Sequence, residues 1–361
     1  MGGEKLTGTE SNVLLELVRR QRESDKSIAE RLGMAPSNFA VVKRRLIEKG
    51  VLLEQIRVNM QRVGQAQVAA FIWLEYNRAV RAALREKMSR IRSGMPVAYT
   101  FGTSDWSLNV DYFSSFEDAE NSRLHLAEQL QDFAADISAY TWKTLPMSHL
   151  VTCTFMGRLV EHALMRQVSK AEMAPASTGG ECELPESPGN IPSLNSTEKK
   201  VLVAMRRFPS LRKSEIAVKV GIKQSSLSEV FGQLQKKGVI NYVRTIDPTK
   251  LPGLEVATFA WIDLTQPMLG EQGAKLMETL VDTTPQVFKL YYTKTFALMN
   301  CYFHSLEKAE TSHLKLLEIF GDNIKSFNFK VVPCAHLSTE YTPYFLEQLF
   351  DVHFTPPGTP I

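Results

Sequence analysis

The sequence predicts an α+β fold built from two copies of one module, each a winged helix-turn-helix followed by a βαββαβ ferredoxin-like domain. The first observation is an internal repeat: residues 28–52 align without a gap with residues 216–240 and share nine identities over 25 positions, where average composition gives about one in fifteen. The second is a change of apolar periodicity within each half, from helical spacing to strand-like runs. The two halves are therefore expected to fold alike.

The repeat extends beyond the first motif and sets the domain boundaries. Residues 101–120 match residues 291–310 with eight identities, and Pro146 and His149 match Pro333 and His336. A period this long is too large for a solenoid of short repeats, so each half is a complete module. The predicted winged helix-turn-helix domains span 7–62 and 194–250, the predicted ferredoxin-like domains with their trailing helices span 65–168 and 254–352, and a linker spans 169–193.

Three helical segments open each half. In the first half, apolar residues from Val13 to Val18 recur at the spacing of one helix face, behind Thr9 as the expected cap. A short second helix ends at Gly33, where the chain must turn sharply, and a third begins near Ser37 and ends at Gly50. The residues after Gly50 predict a short strand that turns back as a wing. The second half repeats this pattern.

The rest of each half has the order βαββαβ. Strand-like runs occupy 67–75 and 255–263, and helices are predicted at 78–92 and 273–282, then at 116–133 and 306–320. Such an antiparallel sheet has helices on one face and leaves the other face open. An open apolar face requires a partner. We expect the two sheets to cover each other, so that one chain forms an intrachain pseudo-dimer.

Positive charge is concentrated in the helix-turn-helix segments. Residues 1–62 carry 12 Lys and Arg against 8 Asp and Glu, and residues 194–250 carry 12 against 4, although the whole chain has a net charge of only +3. Charge that recurs in the same part of a repeat predicts contact with a polyanion. No apolar run approaches the roughly 20 residues that span a bilayer. The sequence therefore predicts a cytoplasmic protein without a membrane partner.

The linker is predicted to be disordered, and the cysteines are predicted to form neither disulfides nor a metal site. Residues 169–193 contain four prolines and three glycines and carry an excess of acidic side chains, which predicts a disordered linker. The four cysteines, Cys153, Cys182, Cys301 and Cys334, have no C-x-x-C spacing and no matching positions in the two halves. We therefore expect neither a disulfide framework nor a zinc site, and no metal or cofactor.

The third helix of each module is the element that a helix-turn-helix places in the major groove of DNA. Serine, asparagine and arginine at its outward positions can contact bases or phosphates. The predicted DNA-binding residues are Ser37, Asn38, Val41, Lys43, Arg44, Arg45 and Arg57 in the first half, and Lys223, Ser225, Ser226, Ser228, Glu229, Gln233, Lys236, Lys237 and Arg244 in the second. Lys49 and Arg62 are further candidates for phosphate contact.

Three segments of the sequence resemble a known protein family. They are IAERLGMAPSNFAVVKRRLIEKGVL in the first half, IAVKVGIKQSSLSEVFGQLQKKGVI in the second, and TFGTSDWSLNVDYF. Together these segments resemble the Lrp/AsnC family of transcription regulators, which implies pairing through the sheets and a small-molecule, amino-acid-like effector near their interface. The implied effector residues are Gly102, Thr103, Ser104 and Asp105, where Asp105 is able to receive an ammonium group. The second half has Tyr292, Thr293, Lys294 and Thr295 there, so at most one such pocket is expected.

The sequence therefore predicts a DNA-binding transcription regulator that is not an enzyme. Its expected partners are double-stranded DNA, a small effector and, beyond the pseudo-dimer, further copies of the chain. Two alternatives stay open. Sirohaem decarboxylases share this architecture and include fused pairs, although the wing segments here contain no histidine; a derivative that acts through protein partners is the other. His149 and His336, equivalent in the two halves, could bind a ligand, a metal or a haem-like pigment, or simply end a strand.

Overall fold

The order of helices and strands follows the duplication. In this computed structural model, the residues described are 5–21, 23–80, 82–84, 86–87, 97–164, 181–209, 211–267, 286–341 and 345–354. The first half contains α1 (Gly8–Arg19), α2 (Asp25–Arg31), α3 (Pro36–Glu48), β1 (Leu52–Val58), β2 (Val68–Tyr76), β3 (Val97–Gly102), β4 (Trp106–Phe113), α4 (Phe116–Leu130), β5 (Ile137–Pro146), β6 (Val151–Thr154) and α5 (Met156–Leu164). Every element from α1 to β6 has its counterpart 187 to 190 residues later.

The second half begins with a strand that the sequence does not predict. It contains β7 (Glu181–Glu183), α6 (Ser196–Arg207), α7 (Lys213–Val220), α8 (Gln224–Lys236), β8 (Ile240–Ile246), β9 (Val256–Leu264), β10 (Val287–Tyr292), β11 (Phe296–Phe303), α9 (Leu306–Phe320), β12 (Ile324–Pro333), β13 (Ser338–Tyr341) and α10 (Phe345–Phe350). The predicted helix at 273–282 lies outside the described residues. Of the helix predicted at 78–92, residues 78–80 are described as a 3-10 turn and residues 82–84 and 86–87 as helix, and the remainder lies outside the described residues.

The first turns of α1 and α6 are fixed by capping boxes. The cap of α1 is Thr7, not Thr9, and its side chain accepts from the amide of Glu10 while Glu10 accepts from the amide of Thr7. Asn195 caps α6 in the same way through Glu198. These reciprocal bonds satisfy amide groups that a helix start leaves without acceptors. The glycine that ends α7, Gly221, has a φ of 77°, as the sharp turn requires.

The strand after each helix-turn-helix does not fold back on itself as a wing. Instead β1 and β8 pair with each other in a two-stranded sheet. The amide of Asp247 donates to the carbonyl of Val51 over 3.1 Å at one end of this ladder. The prediction of two self-contained wings is therefore wrong, because each strand finds its hydrogen-bonding partner in the other half of the chain.

Two antiparallel sheets form the remainder of the fold. One has the strand order β12-β9-β11-β10-β6-β7 and the other β13-β3-β4-β2-β5. In each, four strands have the order of a ferredoxin-like unit, and α4 or α9 packs on one face. The added strands are exchanged: β6, from the first half, pairs with β10, and β13, from the second half, pairs with β3.

The chain divides into two compact units that differ from the predicted domains. Unit 1 contains residues 1–57, 150–184 and 242–337, and unit 2 contains residues 58–149, 185–241 and 338–361. In unit 1, α5 packs on α1 and on β10, and in unit 2, α10 packs on α6 and on β4. Each helix-turn-helix therefore shares a unit with the sheet of the other half. The predicted cover of one sheet by the other remains a prediction.

The predicted linker and the cysteines depart from expectation. Residues 165–180 lie outside the described residues, but residues 181–183 form β7, which pairs with β6. Cys182 lies directly opposite Cys153 in this pairing, and the two form a disulfide. The prediction that the cysteines form no disulfide is therefore wrong for these two. Spacing along the chain could not show it, because the strand pairing brings together sulfurs 29 residues apart. No helix among the described residues is long and apolar enough to cross a bilayer.

Candidate functional site

The outward side chains of α3 and α8 that are predicted to contact bases or phosphates lie on the exposed faces of these helices. They are Ser37, Asn38, Val41, Arg44 and Arg45 on α3, and Ser225, Ser228, Glu229, Gln233 and Lys236 on α8, with Lys223 just before it and Ser226 half-buried. Ser37, Val41 and Arg45 follow one another at four-residue intervals and so share one side of α3. Arg44 is 69% exposed and 3.8 Å from Glu48. These positions are accessible, as the prediction requires.

Several cations predicted to bind phosphate are instead engaged within the fold. Lys43 Nζ lies 2.6 Å from Asp25 Oδ2 and 2.7 Å from Glu54 Oε1. Arg244, on β8, donates to Asp25 and to the carbonyl oxygens of Arg20 and Glu23 that follow α1. Side chains held in this way are committed to acidic groups and carbonyls of the protein itself. They add little to the field that a polyanion would meet.

A lysine at the end of the third helix of each half is also paired with a carboxylate of the chain. Lys49 lies 3.2 Å from Glu10, and Lys237 lies 2.6 Å from Glu198. Each lysine joins the end of the third helix to the capping box of the first. Burial alone would raise the pKa of Glu10, but hydrogen bonds from the Thr7 amide, Lys49 and the Thr7 hydroxyl hold it below its ordinary value. The repeated positive charge thus has an internal role in both halves.

The predicted effector residues form the turn between β3 and β4. Thr103 donates to Asp105 Oδ1 over 2.8 Å, and Asp105 Oδ2 lies 3.5 Å from Arg78. The carbonyl of Gly102 accepts from Ser338 at the start of β13. Ser104 lies at the tip of the turn. The structure therefore brings the four residues together and occupies Asp105 with Arg78, a cation of the chain itself. Binding of an effector there remains a prediction.

The two histidines that the repeat makes equivalent are exposed and belong to different units. His149 ends the turn at Met147–His149 in unit 2, and His336 ends the turn at Cys334–His336 in unit 1. Each lies just beyond the last strand of its βαββαβ unit. This position fits the interpretation of a histidine that marks the end of a strand.

A different pair of histidines meets inside unit 1. The rings of His162, on α5, and His304, after β11, have centroids 5.0 Å apart. Nδ1 of His304 lies 2.6 Å from the carbonyl oxygen of Gly253, and its Nε2 lies 3.3 Å from the carbonyl oxygen of His162. Nε2 of His162 lies 3.2 Å from the side-chain amide of Gln286. Both rings are half-buried. We call His162 and His304 the histidine pair.

The elements around the histidine pair hold both rings in place. Arg19 of α1 contacts Glu161, next to His162, over 2.6 Å, and both of these side chains are at least nine-tenths buried. Gly253 has a φ of 82°, and a Cβ at this position would come within 3.2 Å of His304 Nδ1. Only glycine therefore allows this close approach without strain. The Arg19–Glu161 ion pair between α1 and α5 holds the backbone next to His162 in place. The carbonyl of Gly253 holds the ring of His304.

The duplicated position in unit 2 holds a cavity instead of imidazoles. The offsets of the repeat pair His304 with Ser114 and His162 with Leu349. Both of these residues line a cavity of about 370 Å³, together with Tyr112, Asp118 and others. The histidine pair is thus present in one unit and absent from the other. The repeat gives no sign of this pair, because neither His162 nor His304 has a histidine at the equivalent position of the other half.

A cationic cluster lies on the face of the unit 1 sheet opposite α9. Lys289 on β10 and Arg57 on β1 lie near Glu183 of β7, and Arg57 pairs with Glu183. Burial, and after it the charge of Arg57, lowers the pKa of Lys289 to about 7, while the charge of Glu183 acts in the opposite direction. The ammonium of Lys289 also lies 4.8 Å from the centre of the Tyr291 ring.

Comparison with solved structures gives the class of fold. The siroheme decarboxylase NirDL in complex with an iron-uroporphyrin III analogue aligns with 95% of this chain and 97% of its own, with a TM-score of 0.51 and 11% identity. Another crystal structure of siroheme decarboxylase NirDL aligns over the same shares with a TM-score of 0.49 and 13% identity. AsnC of E. coli covers 39% of this chain and 93% of its own, with a TM-score of 0.30 and 17% identity.

No family model matches the sequence, and no curated protein matches it. The fold that the chain shares from end to end is that of an enzyme, siroheme decarboxylase NirDL. The prediction that the chain is not an enzyme is contradicted by this finding. A fold does not determine a function, so the helix-turn-helix and ferredoxin-like elements alone could not separate an enzyme from a regulator.

Proposed function

We propose that this protein is a decarboxylase that acts on a carboxylate-bearing tetrapyrrole, as siroheme decarboxylase NirDL does by name. The observation that carries the proposal is the fold similarity along 95% of the chain, with both modules in one polypeptide. The engagement of Lys43 and Arg244 with acidic groups of the chain supports it, because it removes cations on which the DNA-binding prediction depended.

Decarboxylation of a side-chain acetate breaks a carbon–carbon bond and releases CO₂. The electron pair that remains on carbon must take up a proton, so that a methyl group replaces the acetate. A positioned acid is therefore needed, and histidine is the side chain most often used for proton transfer near neutral pH. We assign this role to the histidine pair, with Gly253 and Gln286 orienting the rings.

Geometry favours His304 as the proton donor and His162 as its neighbour. Both nitrogens of His304 face carbonyl oxygens, so a ring protonated at both nitrogens donates to both. Release of one of these bonds would free that N–H group to protonate the carbanion. His162 lies one ring away and connects to Gln286, so we assign it the positioning of His304.

The test is incubation of the purified chain with siroheme under anaerobic conditions, with the tetrapyrrole products followed by mass spectrometry. The expected result is loss of one CO₂ for each acetate converted. His304→Asn should lower the rate by about 10²- to 10⁴-fold, the range for removal of a general acid. His336→Asn is the matched control, because that histidine lies in the same unit but is exposed at a strand end. An unconverted tetrapyrrole with the native chain would refute the proposal.

One observation supports a second candidate function, sequence-specific DNA binding. Asn38, Arg44 and Arg45 are exposed on α3, with the residue types that contact adenine and phosphate. Salt-dependent retardation of double-stranded DNA tests it, with Asn38→Ala and Arg45→Ala as variants and Lys26→Ala, an exposed cation of α2, as control. Retardation lost in the first two variants alone would establish this function. Binding unaffected by them would reject it.

A further inference from the structure

The disulfide of unit 1 joins a short edge strand to the interior of the sheet. Cys153, on β6, is 3% exposed and lies in the apolar core of unit 1, whereas Cys182, on β7, is exposed. β7 is the outermost strand of this sheet and has three residues. Besides the disulfide, β7 is held by its pairing with β6 and by the ion pair between Arg57 and Glu183. The covalent bond is therefore a main tie of this strand to the sheet, and its outer sulfur belongs to an exposed residue.

The loop that this disulfide closes contains a helix. The two cysteines are 29 residues apart, and α5 (Met156–Leu164) lies between them. The junction between β6 and α5 is fixed by the amide of Phe155, which donates to the carbonyl of Phe288 over 2.9 Å. A disulfide restricts the conformations that its loop can reach when the loop opens. While the bond is intact, α5 therefore has fewer open states available to it.

α5 positions one ring of the histidine pair. His162 lies near the end of this helix, and its neighbour Glu161 contacts Arg19 of α1 over 2.6 Å. Nε2 of His162 lies 3.2 Å from the side-chain amide of Gln286, just before β10. β10 also pairs with β6, the strand that carries Cys153. The disulfide, α5 and the residue that orients His162 are thus attached to the same two strands, and an opening of α5 would separate the two rings.

Unit 2 has the same strand without the disulfide. β13 is the counterpart of β6, since residues 338–341 follow residues 151–154 at the spacing of the repeat, and it is the outermost of the described strands in its sheet. All four cysteines of the chain belong to unit 1. Loss of β7 would therefore give the unit 1 sheet an edge like the one that the unit 2 sheet already has. The disulfide occurs in the unit that has the histidine pair, and the other unit has neither.

We propose that the Cys153–Cys182 disulfide is a redox-sensitive clasp that keeps α5, and with it His162, in place. A dithiol opens the clasp in two steps: its thiolate attacks the sulfur of Cys182, and the sulfur of Cys153 leaves and takes up a proton. The second thiol then releases Cys182 as a thiol, and the dithiol becomes a disulfide. β7 separates from β6, and α5 opens more often. The clasp itself is independent of the proposed decarboxylase activity, whereas its control of proton donation by the histidine pair rests on that proposed function.

The experiment is amide hydrogen exchange of the full chain, measured by mass spectrometry before and after treatment with dithiothreitol. The amides of α5 should exchange roughly tenfold to hundredfold faster in the reduced chain, because the constraint on the loop is lost. α10 is the matched control, since it follows β13 as α5 follows β6, and its exchange should not change. Equal exchange of α5 in the two states would overturn the proposal. Faster exchange of both helices would also overturn it, because it would show general unfolding and not a local clasp.

A serine variant separates loss of the disulfide from other effects of the dithiol. In Cys182→Ser, the amides of α5 should exchange as fast as in the reduced native chain, with or without dithiothreitol. Cys334→Ala, which changes a cysteine outside the disulfide, is the control and should keep both the slow exchange of the oxidised chain and its response to dithiothreitol. A Cys182→Ser variant with the slow α5 exchange of the oxidised native chain would refute the clasp.

Control of the histidine pair is tested with the same variant and siroheme, in the absence of a dithiol. As urea is added, Cys182→Ser should lose siroheme conversion at a lower concentration than the oxidised native chain, because α5 opens earlier without the disulfide. Loss of conversion at the same concentration, in spite of faster α5 exchange, would show that the clasp does not control the pair. A native chain that converts no siroheme refutes the proposed decarboxylase, and the exchange measurement then decides the clasp separately.

Discussion

Arg244 Nη2 lies 2.6 Å from Asp25 Oδ1, which joins a strand of the second half to a helix of the first. The same guanidinium also donates to the carbonyl oxygens of Arg20 and Glu23. These carbonyls follow the end of α1, where backbone acceptors lack partners within the helix. One side chain therefore closes the end of α1, holds the start of α2 and attaches both to β8.

Arg244→Ala should destabilise the protein by about 1–3 kcal/mol, because it removes a part-buried donor from two backbone carbonyl oxygens and from one oxygen of the Asp25 carboxylate. Urea unfolding followed by circular dichroism measures this change. Arg44→Ala is the control, since Arg44 is 69% exposed, and it should change stability by less than about 0.5 kcal/mol. If Arg244 served DNA and not the fold, its removal would leave the unfolding midpoint in place.

Glu10 should make stability fall at acid pH. Its folded-state pKa lies below the ordinary value of 4.5, despite burial, because Thr7 and Lys49 donate to the ionised carboxylate. The unfolded chain therefore takes up the proton first, and the stability that Glu10 contributes is present above pH 4.5 and is lost as the pH falls through the folded pKa. Urea unfolding at a series of acid pH values should show a shallower decline in Glu10→Gln than in the native chain. Glu48→Gln, which changes an exposed carboxylate, should leave the native slope unchanged.

Lys289 should make stability rise with pH above neutrality. Burial and Arg57 lower its pKa to about 7 in the folded chain, from 10.5 in its ordinary state. Between these values the unfolded chain binds the proton and the folded chain does not, so the free energy of unfolding increases with pH across that window. Lys289→Met should remove this rise, whereas Lys236→Met, at an exposed position of α8, should keep it. A native chain whose stability is flat from pH 7 to 10 would contradict the prediction.

Replacement by alanine should change the stability of the protein in opposite directions at two glycines. Gly221 ends α7 with a φ of 77°, where a side chain is strained, so Gly221→Ala should cost about 1 kcal/mol or more. Gly232 lies within α8 at an ordinary helical conformation with no atom within 4 Å of an added Cβ. Gly232→Ala should therefore stabilise the chain by about 0.5–1 kcal/mol. Thermal unfolding of the two variants measures both changes in stability. A more stable Gly221→Ala variant would contradict the left-handed turn at this position.

The sequence predicts the order of elements well, because each helix and strand is encoded by its own neighbours. The start of α3 at Pro36 follows from the proline itself, which suits the first turn of a helix, and its end at Glu48 follows from Gly50 just beyond it. The partner of each strand is not encoded locally. Nothing in the segment Leu52–Val58 indicates that it pairs with Ile240–Ile246 and not with a strand of its own wing.

The candidate site was harder to predict for a related reason. The repeat drew attention to His149 and His336, which both halves keep, whereas the histidine pair joins two residues without equivalents. The positive charge of the helix-turn-helix segments was misleading in a similar way, because part of it is neutralised within the fold. A count of lysines and arginines could not show that Lys43 lies between Asp25 and Glu54, since those three residues are separated in sequence and meet only in the fold.

The exchange of β6 and β13 between the sheets has a consequence for synthesis of the chain. Unit 1 takes residues from the first helix through Leu337, and unit 2 takes residues from Val58 through α10. The sheet of unit 2 cannot be completed until β13, from the opposite half, has emerged from the ribosome, whereas β6 emerges early and must wait for β10. Contacts that join distant segments are slow to form, and partly paired sheet edges are prone to aggregate while they wait. A nascent chain stalled after the first half would therefore expose the edge of β3 that β13 later covers, and we expect its yield to depend on chaperones more than that of the full chain.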